Sequence, residues 1–353
     1  MSAQAATAID DRGSARAAAD ALIAETQARS AEFPHLLANH LPMVIEIMAR
    51  LGGSADRLHA YARMYTATNK VPPLAAPVAP IAVEDWQGHL GDRSRETDYR
   101  RFFEAEVRRL GWREAVRRTV PILAPGIGAS ALHGLMRLAY GVMRGDEAEI
   151  GIALGYWAAT FLPLPQPEGI VADLDDPLAV LLEMRERPAF QGVQAESDLL
   201  WHWIRAVGRD PALPPLVGRL RIGPQTLDRI AEASLALYAS TMSFEALHAL
   251  TGAHWLRQIV PYLDDPRPLV RNFWQVIMAV YPKIGMPQPV PAAMLDAWRG
   301  LDVPDDAAIA AAAVASDDEH DPSLVFSALE EFARTGDPLY RVVAARRVGL
   351  LPS

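Results

Sequence analysis

The chain has 353 residues, of which 50% are hydrophobic and 22% are charged, and its formal net charge is −9. This composition is typical of a globular protein with a large core, and the negative charge argues against binding to a nucleic-acid backbone as the main activity. The sequence contains no cysteine, which excludes disulfides, thiolate zinc sites, iron–sulfur clusters and cysteine nucleophiles. Any metal ion here would therefore have nitrogen and oxygen ligands.

Apolar residues recur at intervals of three and four positions along most of the chain, which predicts an all-α fold. We expect residues 1–30 to form a flexible or helical N-terminal extension. Residues 31–353 would then form one large domain of packed helices and helical hairpins around a central cavity. In chain order, the clearest helical segments are residues 43–51, 102–110, 131–143, 227–239 and 243–263, followed by a long helix that begins near Pro322 and ends at Thr335-Gly336-Asp337-Pro338, and a short helix over residues 339–348.

The sequence carries no signal for export or for a membrane. The first 29 residues mix alanines with charged residues and do not form the apolar segment of a secretory signal. The longest apolar run, residues 150–165, is shorter than the roughly 18 residues that a spanning helix needs. We therefore expect a cytoplasmic protein without a membrane span, whose oligomeric state the sequence does not indicate.

Four histidines lie in short segments that are predicted to be helical or to begin a helix: His40, His133, His248 and His320. Taken singly, each also suits a bland role, as a hydrogen-bonded core residue or, for His320, as a solvated helix cap. Their recurrence in a chain without cysteine makes them the best candidate metal ligands. His254 follows His248 by six positions, about 240° around a helix, so the two do not share a face.

Several motifs that carry other chemistry are missing from the sequence. It contains no glycine-rich dinucleotide loop, no Walker loop and no nucleophile elbow, so neither a tightly bound nucleotide nor a serine hydrolase is indicated. Glu245 precedes His248 by three positions, as in the carboxylate bundles that hold two iron ions, but a second pair of this kind does not accompany it.

Short motifs around the four histidines follow one another along nearly the whole chain. They are Asn39-His40-Leu41-Pro42-Met43, Leu132-His133-Gly134-Leu135-Met136, Leu247-His248-Ala249-Leu250, Asp318-Glu319-His320 and Arg334-Thr335-Gly336-Asp337-Pro338. In these motifs and their order the chain resembles the questin oxidase-like family. The resemblance implies an all-helical oxidoreductase, a monooxygenase or dioxygenase that opens a ring of an anthraquinone-like polyketide by a Baeyer–Villiger-type insertion of oxygen.

The resemblance also implies a non-haem metal, Fe(II), and dioxygen. The ligands carried over are His40, His133, His248 and His320, with His254 a less certain one, and His133 and His248 would also be the catalytic residues. NADPH is a candidate external reductant, although the chain has no motif that binds it. A flat polycyclic substrate would stack on aromatic side chains, for which plain core packing is the alternative role: Tyr140, Trp157, Trp255 and Trp274.

The chain departs from the family at one point. Relatives tend to carry a lysine three or four positions after the C-terminal histidine, where this sequence has Ser323 and Leu324. The alternatives are a metal site completed without that lysine, a catalytically inactive helical protein that binds a hydrophobic ligand in the same cavity, and a scaffold whose histidines are core residues. Convergence of the four imidazoles on one point would separate the first two from the third.

Overall fold

The computed structural model describes residues 3–352 of the chain, with side chains from residue 13 onward. This part of the chain is 67% helical and contains 17 α-helices and one antiparallel pair of short strands. The prediction of an all-α fold is confirmed. Among these residues, no helix combines the length and the apolar character that crossing a membrane requires.

The helices and strands are numbered in chain order. The strands are β1 (Glu32–Phe33) and β2 (Leu37–Ala38). The first nine helices are α1 (Ala3–Thr26), α2 (Leu41–Arg50), α3 (Ala55–Asn69), α4 (Glu96–Leu110), α5 (Trp112–Leu123), α6 (His133–Arg144), α7 (Glu147–Ala159), α8 (Pro177–Arg185) and α9 (Leu200–Gly208). The other eight are α10 (Leu213–Val217), α11 (Thr226–Thr241), α12 (Phe244–Ile259), α13 (Arg267–Val280), α14 (Ala292–Arg299), α15 (Asp306–Ala315), α16 (His320–Thr335) and α17 (Leu339–Arg347).

The predicted helix ends were correct near the C-terminus and wrong before His133. Helix α16 has Pro322 in its first turn and ends at Gly336, whose φ of 72° is the left-handed conformation that glycine adopts readily. The helix predicted from residue 131 begins two residues later. Residues 130–132 have φ values of 42°, 55° and 72°, so they form a left-handed turn that a right-handed helix cannot include.

The described chain forms two compact units. One combines the two ends of the chain, up to Ala75 and from Ala293, and the other extends from Ala76 to Ala292. The predicted boundary at residue 30 stays a prediction. Helix α1 nevertheless packs into the core of the first unit, because Ala19 and Ile23 are buried together with side chains of α2 and α3.

In the first unit, the short sheet leads directly into α2. The Asn39 N–H donates to the Ala31 carbonyl oxygen, and the Asn39 side chain accepts the N–H of Leu41. His40 is thus fixed at the start of α2, with Pro42 in the first turn. Helices α15, α16 and α17 pack successively on one another, and α16 also contacts α2.

In the second unit, glycines allow α7 to lie very close to α4. A Cβ atom at Gly155 would lie 2.8 Å from the backbone nitrogen of Arg100, and one at Gly151 would lie 3.0 Å from the Cα atom of Glu104. Helix α6 packs between α7 and α12. A buried ion pair between Arg137 of α6 and Glu149 of α7 ties these helices together. This arrangement holds the two helices that carry His133 and His248.

Candidate functional site

Hydrogen bonds within the first unit hold both the backbone and the ring of His40. Its backbone N–H donates to the Tyr65 hydroxyl oxygen at 2.9 Å, and its Nδ1 atom lies 2.9 Å from the carbonyl oxygen of Ala38. A carbonyl oxygen only accepts hydrogen bonds, so Nδ1 carries the ring proton. In the neutral ring the lone pair is then on Nε2, the nitrogen suited to bind a metal ion.

His320 is the first residue of α16 and is also fixed through Nδ1. Its Nδ1 atom and its backbone N–H each lie 2.9 Å from Oδ1 of Asp318. These hydrogen bonds hold the pKa of the Asp318 carboxyl at about 2, so that group is an anion that only accepts. His320 is half-buried, and in the neutral ring its lone pair is on Nε2.

His40 and His320 come together in the first unit with an acidic side chain that the sequence reasoning missed. Their ring centroids are 5.4 Å apart, with the planes at 64°. Glu319 joins them, because one ligand atom from each of the three residues lies within 4.8 Å of the other two. Burial raises the pKa of Glu319. The signal that could have identified it is its place directly before His320 in the motif Asp318-Glu319-His320.

Two buried phenols of α3 lie near this group. Burial raises the pKa of both Tyr61 and Tyr65 above the usual value for tyrosine, and the negative charge of Glu319 raises each further. Both are therefore neutral across the physiological pH range. The surroundings of His40 and His320 thus combine neutral hydroxyl groups with the carboxyl groups of Asp318 and Glu319.

In the second unit, the left-handed turn over residues 130–132 sets the position of His133. This turn reverses the local backbone so that the Ser130 carbonyl oxygen contacts Nδ1 of His133, the first residue of α6. Gly134 lets helix α7 approach closely, since a Cβ atom at this position would lie 2.9 Å from Cβ of Trp157. His133 is buried, and its Nδ1 proton is fixed on a backbone carbonyl as in His40.

His248 lies in the second turn of α12 and faces His133. Its Nδ1 atom is 2.8 Å from the carbonyl oxygen of Phe244, and its ring centroid is 5.8 Å from that of His133, with the planes at 68°. The Phe244 ring packs edge-on at 4.5 Å. The second unit therefore brings together the other two predicted ligands, again with the lone pair of each neutral ring on Nε2.

The four predicted histidines thus form two pairs, one in each unit, and share one feature. Each has an oxygen acceptor at Nδ1: a backbone carbonyl for His40, His133 and His248, and a carboxylate for His320. Metal-binding histidines in proteins commonly have this arrangement, because it fixes the tautomer and the ring orientation. The donor set of imidazoles with one carboxyl fits a divalent transition metal. That all four histidines bind one ion stays a prediction.

The remaining predicted site residues are buried in the second unit. His254 lies on a different face of α12 from His248, as the six-residue spacing requires. The four aromatic residues predicted to stack on a substrate are at most 2% exposed, and the indole of Trp157 donates to the Gly126 carbonyl oxygen at 3.2 Å. Such burial is typical of core residues, and a role in substrate binding stays a prediction for Tyr140, Trp157, Trp255 and Trp274.

The two positions at which the family resemblance leads us to expect a lysine hold buried residues without charge. Ser323 is 3% exposed and Leu324 is fully buried in α16. In the second unit, Nζ of Lys283 lies 3.0 Å from Oε1 of Glu245, one turn before His248 on α12. The Glu245 carboxylate, which the sequence placed at the spacing of an iron ligand, is thus engaged by a lysine.

A comparison with protein families decides the relationship that the motifs suggested. The model of the questin oxidase-like family matches residues 37–327, a span that includes all four histidines. The chain belongs to the questin oxidase-like family. This membership supports the activity of an oxidoreductase whose substrates are aromatic polyketides, a class of small aromatic molecules. None of the curated proteins compared with the chain matches it.

Proposed function

We propose that this questin oxidase-like protein is a metal-dependent oxygenase that opens a ring of an anthraquinone-like polyketide. Family membership supports the oxidoreductase and its aromatic substrate class. The observation that most supports the metal is the shared Nδ1 acceptor of His40, His133, His248 and His320, because it prepares four Nε2 lone pairs.

The proposed cofactor is Fe(II), which imidazole and carboxylate ligands suit. His40 and His320 would hold it in the first unit and His133 and His248 in the second, with His254 a less certain ligand. When bound, the metal would supply Lewis acidity and the redox chemistry that dioxygen needs. The chain's own contribution is to fix the four rings, to keep Nδ1 protonated, and to surround His133 and His248 with apolar side chains.

The proposed reaction is a Baeyer–Villiger-type insertion. One atom of dioxygen enters the carbon–carbon bond beside a ring carbonyl, which gives a lactone, and the other atom leaves as water. Two electrons and two protons balance this step, so an external two-electron reductant such as NADPH is required. Hydrolysis of the lactone then opens the ring. His133 and His248 are the proposed catalytic residues. The side chains proposed to contact the substrate are Tyr140, Trp157, Trp255 and Trp274.

A second candidate function is the binding of a hydrophobic ligand without catalysis. The observation that favours it is the uncharged pair Ser323 and Leu324, at the place where relatives tend to carry a lysine. This alternative retains the helical fold and the apolar surroundings of the second unit. It differs from the oxygenase in one measurable respect, because it predicts ligand binding without consumption of dioxygen.

The test combines metal analysis with turnover. Protein produced with added iron is assayed by elemental analysis, by oxygen uptake with hydroxylated anthraquinones, and by mass spectrometry of the product formed under ¹⁸O₂. We expect bound iron and a product that gains one labelled oxygen atom on ring insertion. His40→Ala and His133→Ala should each lose metal, whereas His59→Ala, a change at an exposed histidine of α3, should keep it.

The outcomes separate the candidates. Iron far below one ion per chain in the parent protein, with no oxygen uptake, would contradict the oxygenase. Binding of an anthraquinone without turnover would instead support the second function. The number of ions lost on changing each histidine pair also tests whether the four histidines serve one ion.

A further inference from the structure

His320 differs from the other three histidines in the partner of its Nδ1 atom. The hydrogen-bond acceptor at Nδ1 is a neutral backbone carbonyl for His40, His133 and His248, whereas it is the carboxylate of Asp318, at 2.9 Å, for His320. Nδ1 of His40 also lies 3.6 Å from Oε1 of Glu319, beyond hydrogen-bond distance. A carboxylate accepts a stronger hydrogen bond than a carbonyl, and its charge favours the proton on Nδ1. The tautomer of His320 is therefore set by a side chain, which can be changed without altering the backbone.

Asp318 is itself held in place by a second side chain. Arg347 of α17 donates from Nη2 to Oδ2 of Asp318 at 2.6 Å and from Nε to Oδ1 of Asp321 at 2.5 Å. The Ser316 hydroxyl donates to the other oxygen of Asp321 at 2.7 Å and accepts the Asp318 backbone N–H at 3.1 Å. One oxygen of Asp318 thus faces Arg347 and the other faces His320, so the carboxylate has little freedom to turn away.

We propose that Asp318, oriented by Arg347, is a positioning residue that fixes His320 as a metal ligand. The hydrogen bonds from Arg347 through Asp318 to His320 keep the proton on Nδ1, so that Nε2 would be the nitrogen that binds the cation. Because it concerns the affinity of a bound metal, this inference rests on the proposed function. Loss of such an outer partner of a metal-binding histidine typically lowers metal affinity about 10–100-fold.

The neighbouring residue provides a matched control. Asp317 has the same side chain and a similar ion pair, with Arg57 at 2.9 Å, but its side chain is 67% exposed, and it is Asp318 that accepts the hydrogen bond from the ring of His320. Asp317→Asn removes the same charge from the same acidic run. An effect of net charge alone would therefore appear equally in Asp317→Asn and in Asp318→Asn.

The test measures metal affinity and, separately, the tautomer of His320. Affinity for Fe(II), and for Co(II) as an air-stable probe, is measured by chelator competition on the full-length protein. Asp318→Asn should weaken binding about tenfold and Asp318→Ala up to about 100-fold, because the asparagine retains a neutral acceptor. Arg347→Gln should have an intermediate effect, and Asp317→Asn should bind as tightly as the parent protein.

The tautomer is measured in the metal-free protein at about pH 8, above the usual imidazole pKa of ~6.5. Nitrogen-15 NMR of labelled histidine distinguishes Nδ1–H from Nε2–H, and the signal of His320 is assigned by its loss in His320→Asn. We expect Nδ1–H in the parent protein and in Asp317→Asn, and a mixture in Asp318→Ala. Circular dichroism and thermal unfolding confirm that each variant folds.

The two readouts distinguish failure of this inference from failure of the proposed function. A parent protein that binds no metal but shows the Nδ1–H tautomer, lost in Asp318→Ala, would contradict the metal site and leave the positioning role intact. Equal affinity and an unchanged tautomer in folded Asp318→Asn and Asp318→Ala would overturn the inference. A loss of affinity as large in Asp317→Asn would overturn it as well, since bulk charge would then explain the effect.

Discussion

Two tyrosines one turn apart on α3 allow a direct test of how His40 is held. Both side chains are at most 1% exposed, and their ring centroids are 5.9 Å apart. The Tyr65 hydroxyl oxygen accepts the backbone N–H of His40 at 2.9 Å. The Tyr61 hydroxyl has no hydrogen-bond partner among the residues that the structure describes. Replacing either tyrosine by phenylalanine removes one hydroxyl oxygen from a similar buried environment. Only Tyr65→Phe leaves a buried donor, the N–H of His40, without its acceptor.

The expected effects differ in size and in sign. Tyr65→Phe leaves the buried N–H of His40 without its acceptor, which costs about 1–3 kcal/mol of the free energy of unfolding. Tyr61→Phe removes a hydroxyl whose burial is not compensated by a hydrogen bond, so stability should be unchanged or rise by up to about 1 kcal/mol. The two variants should therefore differ by at least about 1 kcal/mol.

Urea unfolding and hydrogen exchange provide the assay. The midpoint should fall for Tyr65→Phe at an unchanged slope, and the His40 amide should exchange faster in that variant alone. Equal destabilisation by the two changes would refute the reasoning, because it would show that loss of packed volume determines the effect. A Tyr65→Phe variant as stable as the parent, with a protected His40 amide, would also refute it.

Two further substitutions and one change of pH test strained and buried groups elsewhere. Ala131→Gly should stabilise the fold by about 0.5–1 kcal/mol, because glycine adopts the left-handed conformation of this residue at less cost. Gly155→Ala should destabilise it by about 1–3 kcal/mol, because its methyl group would lie 2.8 Å from the backbone nitrogen of Arg100. Burial raises the pKa of Tyr281 to about 12, so the stability it contributes is complete below about pH 10 and is lost as the pH rises through 12.

Thermal unfolding measures the change in stability for Ala131→Gly and Gly155→Ala. Alkaline titration, followed by tyrosinate absorbance, measures the ionisation of Tyr281. Ala129→Gly, in the same buried segment but without a positive φ, should destabilise, and equal effects of the two alanine changes would contradict the strain argument. Gly13→Ala, in a helix where a Cβ atom meets nothing within 4 Å, should be neutral or stabilising. Tyr281→Phe should flatten the loss of stability between pH 10 and 12.

Local sequence determined the helices and the list of candidate ligands. Apolar side chains three and four positions apart specify a helix through neighbours on the same face, and Gly336 specifies the end of α16 through its own backbone freedom. These effects act within one or two turns of chain. Local sequence also indicated His40, His133, His248 and His320 as candidate ligands, because each stands out from its own neighbours in the chain.

Tertiary structure alone decided which of these residues meet. His40 and His320 come from opposite ends of the chain and form a pair only because α16 packs on α2, and Glu319 joins them through the same contact. The left-handed turn before His133 depends on its buried surroundings, since intrinsic preference opposes it. The sequence by itself therefore determined the helices and the candidate histidines. Long-range packing determined which histidines meet, because the energy of packing two helices depends on residues that are far apart in the sequence.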